Sequence, residues 1–219
     1  MKLQGQVALV TGANRGLGSH FVRHLLAAGA SKVYATARDT TTMPAELGSD
    51  PRVAVLNLDI TDPASVAGAA AAAPDVTVLV NNAGVLGWGD VLTGDLDAFQ
   101  RDLNTNYVGT LRAAREFVPV IERNGGGAIV NVLTLIALAP VAPMAGYSAS
   151  KAAAHSMTLD RLRPLKKLNC QWRPLGTSPS VSARSINAAA RAPVRPPVRG
   201  AAAAKVPSTA APLRTVVFT

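Results

Sequence analysis

The chain has 219 residues, 48% of them apolar, which excludes an intrinsically disordered protein and suffices for one domain with a substantial core. Its one cysteine, Cys170, excludes a disulfide framework and a cysteine-rich zinc site and fits a reducing compartment. The net charge of +9 is uneven: residues 1–160 hold 11 Lys/Arg and all 13 Asp/Glu, whereas residues 161–219 hold the other 11 Lys/Arg and no acid. No apolar run reaches membrane-spanning length and no cleavage site follows a signal-like core, so a soluble, cytoplasmic protein with no membrane partner is expected.

Gln6 to Thr11 is a short apolar, β-branched run that reads as a buried strand. Thr11-Gly12-Ala13-Asn14-Arg15-Gly16-Leu17-Gly18 follows, then an amphipathic stretch to about Ala28, with Gly29 suited to its C-cap. Strand, glycine turn and helix form the layout of a dinucleotide site: glycines let the backbone approach a pyrophosphate, and the helix N-terminus attracts it. A tight βα turn is the plain alternative. Lys32 to Ala37 is the second strand. An NAD site usually ends this strand in an acid; here Ala37 stands there, with Arg38 next and Arg15 in the glycine loop. Two guanidinium groups suit a 2′-phosphate and favour NADP(H) over NAD(H). Asp39 counts against that choice, and two solvated arginines are the other reading.

Val53 to Leu58 is a third strand, leading to Asp59, which suits the adenine amino group. Asp62-Pro63 equally reads as the N-cap and first residue of a helix over the Ala-rich stretch 64–73. Val76 to Val80 is a fourth strand and runs into Asn81-Asn82-Ala83-Gly84, small and amide residues at the strand edge where open α/β sheets bind ligands. A long helical pattern spans 96–123, with a break expected near Asn106 because Asn and Gly disfavour a helix interior. Gly125-Gly126-Gly127 is a turn before the strand Ala128 to Leu133. Five βα-linked strands predict an α/β fold, a doubly wound parallel sheet with helices on both faces. The loop 134–146 is apolar and leads to Tyr147-Ser148-Ala149-Ser150-Lys151, which places a phenol and an ammonium one helical turn apart. A cation there lowers a tyrosine pKa from its ordinary value near 10, as proton exchange near neutral pH requires. His20 and His24 lack a third ligand, His155 reads as a packing residue, and no metal site is expected.

These motifs together resemble the classical short-chain dehydrogenase/reductases over roughly residues 5–158: TGANRGLG at 11–18, Asp59, NNAG at 81–84, Asn106 with Val108-Gly109, IVN at 129–131 and YSASK at 147–151. The resemblance implies a Rossmann-like fold and hydride transfer between NADP(H) and a carbonyl/alcohol substrate, the chemistry of a carbonyl reductase. It implies Tyr147 as general acid/base, and Lys151 as the residue that lowers its pKa and binds the nicotinamide ribose. It makes Asn106 the residue that distorts the helix and holds a relay water. Thr134 stands thirteen residues before the tyrosine and three after Asn131, where the family carries its catalytic serine. It keeps the hydroxyl and adds a methyl group. The implied cofactor residues are Gly12, Asn14, Arg15, Gly16, Leu17, Gly18, Arg38, Asp59, Ile60, Asn82, Ala83 and Gly84, with Tyr147 and Lys151. The apolar loop 135–144 points to an apolar carbonyl or alcohol compound, and the family commonly forms homo-oligomers through its long helices.

Past about Thr158 the resemblance stops. Pro164 interrupts the helix, Leu168 to Trp172 reads as a remnant of a sixth strand, and Pro174-Leu175-Gly176 stands where the family has Pro-Gly. From Thr177 on, no helical or alternating periodicity is expected, which leaves the C-terminal strands doubtful and the sheet edge open. Two units follow: 1–160, carrying the active site, and 161–219, a basic Pro/Ala/Arg-rich tail whose composition fits a shifted reading frame of a GC-rich gene. The rival readings are a cofactor-binding but catalytically impaired protein and a tail that binds nucleic acid by charge. The tail holds only two aromatics, Trp172 and Phe218, so nucleic acid is disfavoured.

Overall fold

The computed structural model describes residues 2–162 and 213–218. Its centre is a six-stranded, all-parallel sheet in the order β3-β2-β1-β4-β5-β6. The strands are β1 (Val7–Thr11), β2 (Lys32–Ala37), β3 (Val53–Asn57), β4 (Val78–Asn81), β5 (Gly127–Val132) and β6 (Leu213–Phe218). The helices are α1 (Gly16–Ala27), α2 (Ala45–Gly48), α3 (Pro63–Ala72), α4 (Leu96–Leu103), α5 (Thr110–Arg123) and α6 (Ala145–Leu162).

Strand alternation divides the core into two layers. Leu9, Tyr34, Leu79 and Ile129 point to one face and pack with Val66 of α3 and Phe117 and Ile121 of α5. Ala8, Val10, Val33, Val78, Val80 and Val130 point to the other and pack with Val22, Leu25 and Leu26 of α1 and Leu47 of α2. Both faces are covered, which is why these strands read as continuous apolar runs and not as alternating ones. Asp62 caps α3 by accepting from the Ala64 amide at 3.0 Å, with Pro63 as its first residue, so the helix-start reading of that dipeptide holds.

The chain steps outward through β2 and β3 and then returns to place β4 on the other side of β1. The C-terminal ends of β1 and β4 therefore diverge at a topological switch point, the place where open α/β sheets carry their ligands. The long helical pattern 96–123 is two helices joined by a π-helical turn over Asn104–Gly109, the break expected near Asn106. Short 3₁₀ turns at Thr40–Thr42 and Leu135–Ala137, and the one-turn helix α2, carry no periodicity long enough to read from sequence.

One expectation is corrected. Residues 213–218 form a regular strand, β6, which pairs in parallel with β5 from Gly127↔Leu213 to Val132↔Phe218. The run Thr215-Val216-Val217-Phe218 has strand composition, and its pairing satisfies the outer backbone edge of β5 that had been expected to stay open. The proposed strand remnant at 168–172 and the Pro174-Leu175-Gly176 turn lie outside the described residues.

Candidate functional site

The glycine turn is built by close approach. A Cβ on Gly18 would lie 2.0 Å from the Gly12 carbonyl oxygen and 2.7 Å from Asn82 Nδ2. Gly12 has φ +65°, and a Cβ there would lie 3.0 Å from Ala83 Cα. Thr11 Oγ1 accepts from the amides of Asn82 at 3.0 Å and Ala83 at 2.9 Å, and Asn82 Nδ2 donates to the carbonyls of Thr11 at 2.9 Å and Gly12 at 3.0 Å. The ends of β1 and β4 are thus tied to each other, and the Asn82 amide is spent on the turn. Arg15, with extended backbone, is the N-cap of α1 and its side chain makes no capping bond; the first turn holds no acid. The leading amides of α1 lack a side-chain acceptor and favour an anion.

A cleft of about 490 Å³ opens over this turn. It is lined by Gly12, Asn14, Arg15, Gly16, Leu17, Gly18, Arg38, Asp59, Ile60, Asn82, Ala83 and Gly84, every candidate cofactor residue outside the Tyr/Lys pair. The tight glycine turn and the uncapped helix end fit the pyrophosphate of a dinucleotide. At the end of β2, Ala37 is buried and Arg38 and Arg15 are exposed. Neither guanidinium has a hydrogen-bond or ion-pair partner among the described residues. Asp39 turns to its own chain: Oδ1 accepts from the Thr41 amide at 3.0 Å and hydroxyl at 2.5 Å, which holds the carboxyl below its usual range. Asp59 Oδ1 likewise accepts from the Thr61 amide at 2.8 Å and hydroxyl at 2.7 Å. Asn14 Nδ2 donates to Thr42 Oγ1 at 2.9 Å.

Of the four candidate catalytic residues, Asn106 and Lys151 stand against the Gly84 end of the cleft, and Tyr147 lies beside Lys151. A Cβ on Gly84 would lie 3.0 Å from Asn106 Oδ1 and 3.6 Å from Lys151 Nζ. Asn106, fully buried in the π-helical turn, grips Val85 from both sides: Oδ1 accepts from its amide at 2.8 Å and Nδ2 donates to its carbonyl at 2.8 Å. Nδ2 also donates to Ser150 Oγ at 2.9 Å, and that hydroxyl donates to the Tyr147 carbonyl at 2.7 Å. The π turn is thereby fixed to the first turn of α6. Lys151 Nζ donates to the Val132 carbonyl at 3.0 Å and lies 5.8 Å from the centre of the Tyr147 ring. Burial lowers its pKa from 10.5 to about 8. Thr134 is the N-cap of the 135–137 turn, where its hydroxyl accepts from the Ile136 amide at 3.4 Å.

The expected depression of the tyrosine is not found. Tyr147 is pushed above its ordinary value, first by burial and second by the negative charge of Asp102. Lys151 sits over the ring at too long a range, and with its own charge too disfavoured by burial, to offset them.

Three organising residues carried no readable signal in the sequence. Thr11 ends an apolar strand and looks like filler, Ser150 sits inside YSASK without a partner in sequence, and Asp102 looks like one more charge on an amphipathic helix. Facing loops also meet here: the Gly89 amide donates to the Pro143 carbonyl at 2.9 Å, and the Ala145 amide to the Gly89 carbonyl at 3.1 Å. Leu86, Trp88, Leu135, Leu138 and Val141 stand exposed on these loops. His24 Nδ1 lies 2.9 Å from the His20 carbonyl, an ordinary contact along α1. No helix among the described residues is long and apolar enough to cross a membrane.

The family model described as short chain dehydrogenase matches residues 6–171. A 3-alpha-(or 20-beta)-hydroxysteroid dehydrogenase of Mycobacterium tuberculosis is 36% identical over 163 residues, which are 72% of this chain and 62% of that protein. A 3-beta-hydroxysteroid dehydrogenase of Comamonas testosteroni is 35% identical over 72% of this chain and 63% of its own length. The chain thus spans less than two thirds of these relatives. Among solved structures, a short chain dehydrogenase from Burkholderia cenocepacia in complex with NADP superposes with a TM-score of 0.71 at 42% identity, covering 80% of this chain and 73% of that one. With its parallel sheet, glycine turn and matched motifs, the chain belongs to the short-chain dehydrogenase family.

Proposed function

We propose that this protein is an NADP(H)-dependent oxidoreductase that interconverts an apolar carbonyl compound and its alcohol. The observation that carries the reading is the convergence of Lys151 and Asn106 beside Gly84, with the Tyr147 ring 5.8 Å from Lys151 Nζ, at one end of a cleft lined by the glycine turn. The bound nicotinamide cofactor supplies the hydride. Lys151 and Asn106 fix the geometry at the Gly84 end, Tyr147 gives or takes the proton at its phenol oxygen, and the Thr134 hydroxyl polarises the substrate oxygen. Arg15 and Arg38, without side-chain partners among the described residues, favour the 2′-phosphate of NADP(H), while Asp39 is occupied by Thr41. The hydroxysteroid dehydrogenases among the relatives, and the exposed Trp88, Leu135 and Leu138 on the facing loops, support an apolar substrate.

The test is NADPH oxidation with a panel of apolar ketones and aldehydes, beside calorimetry of NADPH binding. Tyr147→Phe is expected to lower turnover by about 10²–10⁴-fold while NADPH still binds. Equal turnover by this variant and the wild type overturns the assignment of Tyr147. A second reading, a cofactor-binding but catalytically impaired protein, is favoured by the break in composition after residue 160. NADPH binding without turnover of any panel member selects it.

A further inference from the structure

Asp102 and Lys151 are the two buried charged side chains among the described residues. Asp102 lies on α4, one helical turn before Asn106, and has no accessible surface. Both its oxygens lie 3.0 Å from a single donor, the Gly87 amide. Among the described residues no other donor and no cation reaches them. A carboxylate offers about four acceptor positions, and leaving most of them empty in the interior is costly. An apolar side chain at this point of α4 would avoid that cost, so the acid needs a reason.

Its surroundings supply one. A Cβ on Gly87 would lie 3.1 Å from Asp102 Oδ2 and 3.3 Å from Ala98 Cβ, so the turn after β4 is pressed directly onto α4. Asn106, on the same helical face, holds Val85 while Asp102 holds Gly87, and Gly84 and Val85 line the cofactor cleft. On the other side α4 packs against the start of α6: a Cβ on Gly146, the residue before Tyr147, would lie 2.5 Å from Phe99 Cδ1. Asp102 and Tyr147 thus stand on two packed helices, and a charge at Asp102 is buried from solvent.

We propose that Asp102 is a positioning residue for the acid/base tyrosine. It fixes the Gly84–Gly87 turn through the Gly87 amide and, as an anion on α4, opposes the Lys151 cation on α6, so that Tyr147 keeps its proton until a substrate oxygen takes it. The inference rests on the reading of Tyr147 as acid/base. Within residues 96–109 and 145–159 the titratable side chains are Asp97, Arg101 and Asp102 on α4, Tyr107 in the π turn, and Tyr147, Lys151 and His155 on α6. Among them Asp102 adds to burial in raising the tyrosine. Asp102 is itself raised by burial, against the Gly87 amide and Arg101.

The test compares the full chain with Asp102→Asn, which keeps an oxygen acceptor for the Gly87 amide and removes the charge. Tyr147 ionisation is read as phenolate absorbance, each protein against its own Tyr147→Phe partner to subtract the other two tyrosines. Turnover of the carbonyl and alcohol panel with NADP(H) is followed in parallel across pH. Tyr147 is expected to titrate at lower pH in Asp102→Asn, and the limb of the alcohol-oxidation profile that reports it is expected to move the same way. If the amide variant does not fold, Asp102→Leu, an apolar side chain with the same branching at Cγ, is expected to give the same shift. Titration at the wild-type pH in the folded variant overturns the inference, even where turnover proves the acid/base role. A lowered titration in a protein without any turnover leaves the effect of Asp102 standing and overturns the acid/base reading instead.

Discussion

Replacing Lys151 by methionine is expected to stabilise the fold while removing the function. The ammonium is 7% exposed, and burial takes its pKa from 10.5 to about 8. That gap corresponds to roughly 3 kcal/mol in favour of the neutral amine, so below pH 8 the charged native state carries a penalty of about this size. The variant also loses the 3.0 Å bond to the Val132 carbonyl, which returns about 1–2 kcal/mol. A net gain of about 1–2 kcal/mol is expected at pH 6. The sign follows from proton counting. Between pH 8 and 10.5 the unfolded chain still holds the Lys151 proton that the native state has released, so wild-type stability from this residue rises through that window. Lys151→Met lacks the rise, and above the window it should be the less stable protein by the value of the lost hydrogen bond. Urea midpoints of both proteins at pH 6 and near pH 10.5 measure the change, with the wild type as control because Lys32, Tyr34 and Tyr147 also titrate in the alkaline range. A variant that is less stable at pH 6, or a gap between the proteins that does not change with pH, refutes the reasoning.

Gly18→Ala forces a Cβ to within 2.0 Å of a backbone oxygen, which no side-chain rearrangement relieves. A loss of about 1–3 kcal/mol and of NADPH affinity is expected in chemical denaturation and calorimetry, and unchanged affinity would remove the glycine turn from the cofactor site. Arg15→Ala and Arg38→Ala are each expected to weaken NADPH about tenfold and NADH far less. Equal weakening of the two cofactors by both variants excludes a 2′-phosphate contact.

Much of this was legible because it depends on local chemistry. Five strands, the α1 turn, the Asp62 cap and the break at Asn106 follow from apolar runs, glycines and capping residues within a few positions of each other. The candidate cofactor residues share a cleft because they sit at successive C-terminal strand ends, a consequence of parallel topology. What stayed hidden depends on contacts far apart in sequence. Nothing near Asp102 marks it as buried, since α4 is an amphipathic helix with other charges, and burial comes from the turn at Gly87 and from α6. Strand β6 was missed for a related reason: six residues of β propensity inside a Pro/Arg-rich stretch become a strand only because β5 offers an edge.

The same contrast explains where the fold tolerates imbalance. In the layer under α3 and α5, Leu9, Leu79, Phe117 and Ile121 are buried in an apolar cluster. Around Tyr147 the balance differs. Lys151 has one carbonyl partner, Asp102 has one amide partner, and they form no ion pair with each other. The buried chain Asn81–Asn131–Thr158 leaves Asn81 Oδ1 without a donor among the described residues. The Tyr147 hydroxyl has no hydrogen-bond partner among the described residues. A buried charge with a single neutral partner costs more than an apolar side chain in its place, and both such charges stand on the packed helices α4 and α6 next to the proposed acid/base tyrosine. A general acid fully bonded to its protein would have to break those bonds before it reacted. Tyr147, as the proposed acid, has no such step to make.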